Sequence, residues 1–204
     1  MSDIPSSNSS LSSDRLNFIL AICAILISGA SFYATYLQAE SAEAQVKAMT
    51  LPLIQFGHGN YDQERELRVI NFELKNAGVG PAIIKSVRLK YQQQEYQSLK
   101  DYFVACCDEA LKESREKQRA AAESGEKLET TDWVSQPLLD VIIPGQSNYV
   151  FQQIYYTPNT DQFWDVLNKE RWNLMLNICY CSLLDDCFTT EKNGVVESVS
   201  ACPA

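Results

Sequence analysis

"ELRVINFELKNAG", residues 66–78, alternates strictly enough to set the fold class. Leu67, Val69, Asn71, Glu73 and Lys75 fall on one face, and Arg68, Ile70, Phe72, Leu74 and Asn76 on the other. Period two is the signature of a strand with one buried face, here the face of Ile70, Phe72 and Leu74. Similar runs surround it. "LPLIQFG" (51–57) precedes it and "AIIKSVRLKYQ" (82–92) follows, with Ile84 and Val87 bracketing a polar pair. "LLDVIIPG" (138–145) and "SNYVFQQIYY" (147–156) are joined by the turn signal "PGQ". "WNLMLNICYCSLL" (172–184) predicts a long strand, and "DCFTTEKNGVVES" (186–198) returns from it, with "KNG" as a further tight turn.

Two stretches keep a helical period instead. In 99–124, Phe103 or Val104, Cys107 and Leu111 share a face, and the charged remainder is expected to project into solvent until Ser124 and Gly125 stop it. In 159–170, Thr160 or Asn159 is the expected N-cap and Phe163, Val166 and Leu167 point inward. About seven short strands in a domain of about 150 residues predict a mainly β fold, an antiparallel β-sandwich with two helical insertions. The alternative is an α+β domain with one sheet covered by the helices.

Upstream of the strands lies "LNFILAICAILISGASFYATYL", an uncharged run of about 22 residues from Leu16 to Leu37. That length fits a single-pass transmembrane helix in a lipid bilayer. A cleaved signal peptide fits less well, because the run is long and lacks a clear cleavage site. The polar, Ser-rich residues 1–15 before it are expected to be a disordered tail. Residues 38–50 continue as a helical stalk, which Pro52 ends. Ala39, Ala42, Val46 and Met49 follow coiled-coil spacing, and Ala30 and Ala34 form a small-xxx-small pair. Together they allow at most a weak homodimer through anchor and stalk. The domain is then 51–204. Arg15 abuts the anchor while Lys47 lies about ten residues past its other end, a thin bias towards a cytoplasmic N-terminus. A domain holding six of the seven cysteines points the same way, to an oxidising, periplasmic side of a bacterial inner membrane.

Three readings compete for "NICYCSLLDDCF" (177–188). A zinc site would use paired C-x2-C units, and a thioredoxin-like centre a C-x-x-C at a helix N-terminus; neither pattern is present. A structural disulfide fits best, with Cys181 and Cys187 facing each other across a hairpin. Cys179 then reaches Cys202 or one of Cys106 and Cys107. Adjacent cysteines are expected to bridge to different partners rather than to each other.

The net charge of −9, with Lys and Arg scattered among more numerous acids, argues against a nucleic-acid surface. No cofactor or metal site is expected. His58, in "FGHGNYD" (56–62), is the single histidine and has no recognisable nucleophile motif beside it. Asp161 and Asp165, one helical turn apart, read as a solvated face rather than a cation site. Trp133, Trp164 and Trp172, with Tyr149, Tyr155 and Tyr156, are core fillers before they are a ligand groove.

"ELKNAGVGPAIIKSVRL" resembles the N-x-G-x-G-P-A segment of a group of uncharacterised bacterial single-pass membrane-anchored proteins. "IPGQS" and "CYCSLLDDCF" resemble that group too, with Phe188 where its hairpin has Trp. The resemblance implies an anchor, a short stalk and an immunoglobulin-like sandwich, and it implies no chemistry. In the segment itself Asn76 ends a strand, Gly78 and Gly80 permit close backbone approach, and Pro81 fixes the exit. The expected function is a non-enzymatic, exported-side binding module with a protein partner, such as an accessory or sensing subunit of an envelope complex. The alternative is a thiol-based envelope redox enzyme or sensor.

Overall fold

A computed structural model describes residues 10–124, 132–191 and 194–203. The chain divides into two units, 1–48 and 49–204. The first is helix α1 (Ser10–Met49), which joins the expected anchor and stalk without a break and starts inside the stretch expected as a tail. Residues 1–9 of that stretch lie outside the described residues. The apolar side chains of α1 are exposed, from Leu16 and Phe18 to Tyr36 and Leu37. An 18-residue window of α1 has a mean hydropathy of 2.0, so the helix is long and apolar enough to cross a membrane, a test that a signal sequence also passes.

The second unit holds two antiparallel sheets and two further helices. Strands β1 (Ile54–Gly59), β2 (Val69–Asn76), β7 (Ser147–Tyr155) and β5 (Trp133–Ser135) make the first sheet in the order β1-β2-β7-β5. In the second, β3 (Ala82–Tyr91) pairs with β8 (Met175–Cys181), followed outward by β9 (Cys187–Glu191) and β10 (Val195–Val199). The opposite edge of β3 is shared by β4 (Gln94–Tyr96) and β6 (Ile142–Ile143). Helix α2 (Leu99–Glu123) lies between β4 and β5, and α3 (Asp161–Glu170) runs into a short 3-10 turn, Arg171–Asn173.

One hydrophobic core spans all of this. Ile54, Phe72 and Phe151 come from the first sheet, and Ile84, Leu89 and Ile178 from the second. Tyr102 and Phe103 enter it from α2, and Phe163, Trp164 and Leu167 from α3. As the alternation predicts, Ile70, Phe72 and Leu74 are fully buried. The irregular pattern in 82–92 reflects a register shift between Ile84 and Ser86. The run 138–145 pairs over only two residues, because Asp140 takes a positive φ of 56° and Pro144 follows. The long strand predicted from 172 begins at Met175, since the chain first finishes the 3-10 turn. The turn at Lys192 and Asn193 lies outside the described residues.

Both helices correct the expectation in part. Ser98 caps α2, its hydroxyl accepting from the Asp101 N–H at 3.2 Å. The polar half of α2 does not stand free: Ser114 is buried, and Lys117 reaches Asp161 at the start of α3 at 2.9 Å. On α3 the inward residues are Phe163, Trp164 and Leu167, and Val166 is exposed. Thr160 sits at the N-cap, but its hydroxyl donates to the Tyr155 carbonyl and accepts from Thr157 N–H instead of capping the helix.

Candidate functional site

The six cysteines of the domain form three disulfides. Cys181 and Cys187 face each other in the β8–β9 register and are bonded, as their spacing predicts. Asp185, with a positive φ of 61°, turns the chain between them. Cys179 bonds Cys202, fastening the tail to β8. The third bond contradicts expectation, for Cys106 and Cys107 are joined to each other. The other four cysteines satisfy one another, so none remains for this pair. Cys107 leaves the helical region (φ −146°, ψ 28°), and α2 is therefore two helical pieces meeting at a kink. The sulfurs of Cys181, Cys187 and Cys202 lie within 4.8 Å of one another, but as disulfides they offer no thiolate to a metal.

The N-x-G-x-G-P-A segment is a clamp made of backbone. Asn76 is fully buried, and its side chain makes four hydrogen bonds. Its Nδ2 donates to the carbonyls of Gly80 (2.8 Å) and Ile143 (3.2 Å). Its Oδ1 accepts from the N–H groups of Gly78 (3.0 Å) and Leu53 (3.1 Å). A Cβ on Gly80 would stand 1.9 Å from the Thr50 carbonyl oxygen, and one on Gly78 2.3 Å from that of Leu51. The "PGQ" turn docks on the same loop, with Gln146 N–H donating to the Gly78 carbonyl at 2.9 Å. Pro81 then leads directly into β3. The segment thus has a structural task, and the strand that follows it presents no helix N-terminus to a phosphate.

The remaining candidates are dispersed. Asp161 and Asp165 are each engaged by a cation, Lys117 and Arg68, and do not converge on a shared site. The Lys117 ammonium holds the Asp161 carboxyl below its usual range. Trp164 is buried beneath Arg68, whose guanidinium stacks 3.7 Å from the Tyr156 ring and 4.5 Å from that of Trp164. Trp172 is exposed and meets His58 edge-on. Tyr149 and Tyr155 are half-buried, the former donating to the Pro137 carbonyl at 2.7 Å. His58 is half-buried in β1, and its Nδ1 accepts from the buried Arg171 guanidinium. Burial, and then the Arg171 charge, lower its proton affinity. No hydroxyl or thiol nucleophile contacts it among the described residues.

A cleft of about 610 Å³ between α2 and strands β5 and β7 brings together residues the sequence left apart. Phe103, Leu111, Trp133 and Phe151 form its apolar wall, and Ser135 and Gln152 hydrogen-bond to each other on the strand side at 2.7 Å. Lys100 and Arg115 stand exposed along it, and no acidic residue lines it among the described residues. Two of its buried polar atoms, Gln118 Nε2 and Trp133 Nε1, have no hydrogen-bond partner among the described residues. Its volume and its mixture of apolar wall with few polar groups are those of a small-molecule site. One signal for it was legible: Lys100, Phe103, Cys107, Leu111, Arg115 and Gln118 advance by three or four residues, one helical stripe with a cation near each end. The strand side carried no such signal, because β5 has only three residues.

Compared with known proteins, the chain matches no family model, no curated protein and no solved structure.

Proposed function

We propose that the chain is a membrane-tethered binding module on the exported side of a bacterial inner membrane, an accessory or sensing subunit of an envelope complex that takes a ligand in the α2–β5–β7 cleft. The observation that supports this most is the set of three disulfides in one domain, which belongs to an oxidising compartment. Helix α1 supplies the anchor, and Arg15 before its apolar run favours a cytoplasmic N-terminus. The two antiparallel sheets are read as the immunoglobulin-like sandwich of the membrane-anchored group the sequence resembles, with α2 and α3 as insertions. Binding rather than catalysis is favoured because the single imidazole, His58, is committed to Arg171 and Trp172.

Two measurements in intact cells test this. Free thiols are blocked, the protein is reduced and relabelled, and its mass is read. Three pairs appearing only after reduction fit an exported domain, and six free thiols refute it. A photo-crosslinker at Gln136, beside the cleft, is expected to give an adduct that disappears when Leu111→Trp fills the space. A chain that stays without any adduct overturns the binding role.

A second reading, a redox sensor, has one observation of its own: the Cys106–Cys107 bond sits at the kink between the two pieces of α2 that line the cleft. A mild dithiol would reduce that bond to two protein thiols, giving up two electrons and two protons, and itself become a disulfide. The reading requires this pair to reduce before the other two, and simultaneous reduction of all three excludes it.

A further inference from the structure

We infer that the cleft between α2, β5 and β7 takes a small amphipathic carboxylate: an apolar body against Leu99, Phe103 and Trp133, and an anionic head at Arg115. This rests on the reading of the cleft as a binding site and names the ligand's chemistry.

Charge comes first. The protein is acidic, with a net charge of −9, yet the described lining holds two cations and no acid. Neither Lys100 nor Arg115 has a carboxylate within ion-pair distance among the described residues, while six other lysines and arginines of the domain do. The two lie 15 residues apart, roughly 22 Å along a helix, so one carboxylate meets only one of them, and Arg115 is the one a turn from Gln118. Arg also offers a planar fork of donors that matches a carboxylate in two-point contact.

The orphaned donors come second. Trp133 Nε1 and Gln118 Nε2 are buried and have no hydrogen-bond partner among the described residues. Leaving a buried donor unpaired is costly, and native proteins rarely keep two side by side without a use for them. Both line this cleft, from opposite walls, one on β5 and one on α2. A ligand carrying acceptor oxygens satisfies both. Trp133 is held ready for it, its ring stacked on Phe163 at 5.0 Å and edge-on to Phe103 at 5.8 Å. The apolar wall sets the rest of the ligand. Leu99 and Trp133 are half-buried and present apolar surface backed by Phe103 and Phe151, so the body is hydrocarbon or aromatic rather than sugar.

The full-length chain in lipid nanodiscs, labelled with nitrogen-15, tests this with 4-phenylbutanoate and its neutral amide as probes. The three tryptophans give three indole N–H resonances, and Trp133→Phe identifies the one that matters. The expected result is a downfield shift of that resonance on titration with the carboxylate. Its affinity should exceed the amide's by about fivefold at low salt, the scale of one exposed ion pair. Arg115→Gln should bring the two probes level, and Lys100→Gln should leave the carboxylate's preference in place. Equal binding of carboxylate and amide to the unaltered chain overturns the assignment of an anion but leaves the cleft as a binding site. If neither probe moves the Trp133 resonance, both the inference and the binding role of the cleft fall.

Discussion

Replacing Asn76 with Ala tests whether the glycine-rich turn is held by one side chain. The asparagine is fully buried, and its amide is saturated: two hydrogen bonds donated and two accepted, all between 2.8 and 3.2 Å. Truncation leaves the N–H groups of Leu53 and Gly78 and the carbonyls of Gly80 and Ile143 without this partner. A buried polar group left unmade costs about 1–3 kcal/mol. Four of them at the lower bound give roughly 4 kcal/mol, a large share of the roughly 5–15 kcal/mol that holds a typical domain together. Asn76→Asp should not rescue the loss. A carboxylate keeps both acceptor contacts, but it cannot donate to Gly80 and Ile143 and sets a charge against their carbonyl oxygens. The assay is urea unfolding of the full chain in detergent micelles, followed by near-ultraviolet circular dichroism at the tryptophan bands, because all three tryptophans lie in the domain and none in α1. A loss below about 1 kcal/mol for Asn76→Ala would refute the reasoning, since it would mean that water or a backbone shift replaces the amide without penalty.

Other outcomes follow from the same physics. Replacing Cys181 and Cys187 together with Ser should cost on the order of 2–3 kcal/mol in the same assay, because the closed loop is short; a neutral double variant would show that the β8–β9 register alone holds the hairpin. His58 binds its proton less readily when folded than at its ordinary value of 6.5, through burial and then Arg171. The unfolded chain therefore takes up the proton first, and stability should fall as the pH drops from about 6.5 through the lower folded value. His58→Gln should flatten that slope, and an unchanged slope would remove His58 as its source. Arg68→Ala should cost about 1 kcal/mol and alter the fluorescence of Trp164, because the guanidinium covers both Tyr156 and Trp164. Unaltered emission would contradict the stacking.

What the sequence disclosed tracks how local each determinant is. The buried face of β2, the Cys181–Cys187 hairpin and the Phe103–Cys107–Leu111 face of α2 each depend on residues a few positions apart, and period alone exposes them. The failures involve distant partners. Val166 faces outward instead of inward, and Trp164 packs under Arg68, just before β2, whose guanidinium covers its ring. The Cys106–Cys107 bond was unexpected because which cysteines remain free depends on how the other four pair across β8, β9 and the tail. The cleft was half visible: its helical stripe could be read, but the opposing wall exists only once β5 pairs with β7 and sets Trp133 beside Ile154.

The clamp around Thr50–Leu53 has a mechanical consequence. Any tension arriving from residue 49 enters the domain through this segment. There it meets hydrogen bonds from Ala77 N–H to the Leu53 carbonyl (2.8 Å), from Leu53 N–H to Asn76, and from Gly80 N–H to the Leu51 carbonyl (3.4 Å). These bonds are shared between the end of β2 and the turn after it, so the load spreads over several bonds at once instead of unzipping β1 one rung at a time. Because Gly78 and Gly80 press against main-chain atoms of the Thr50–Leu53 segment, neither has room for a Cβ. The junction works as a strain relief: a pull applied at residue 49 is shared among these bonds before it reaches the first sheet.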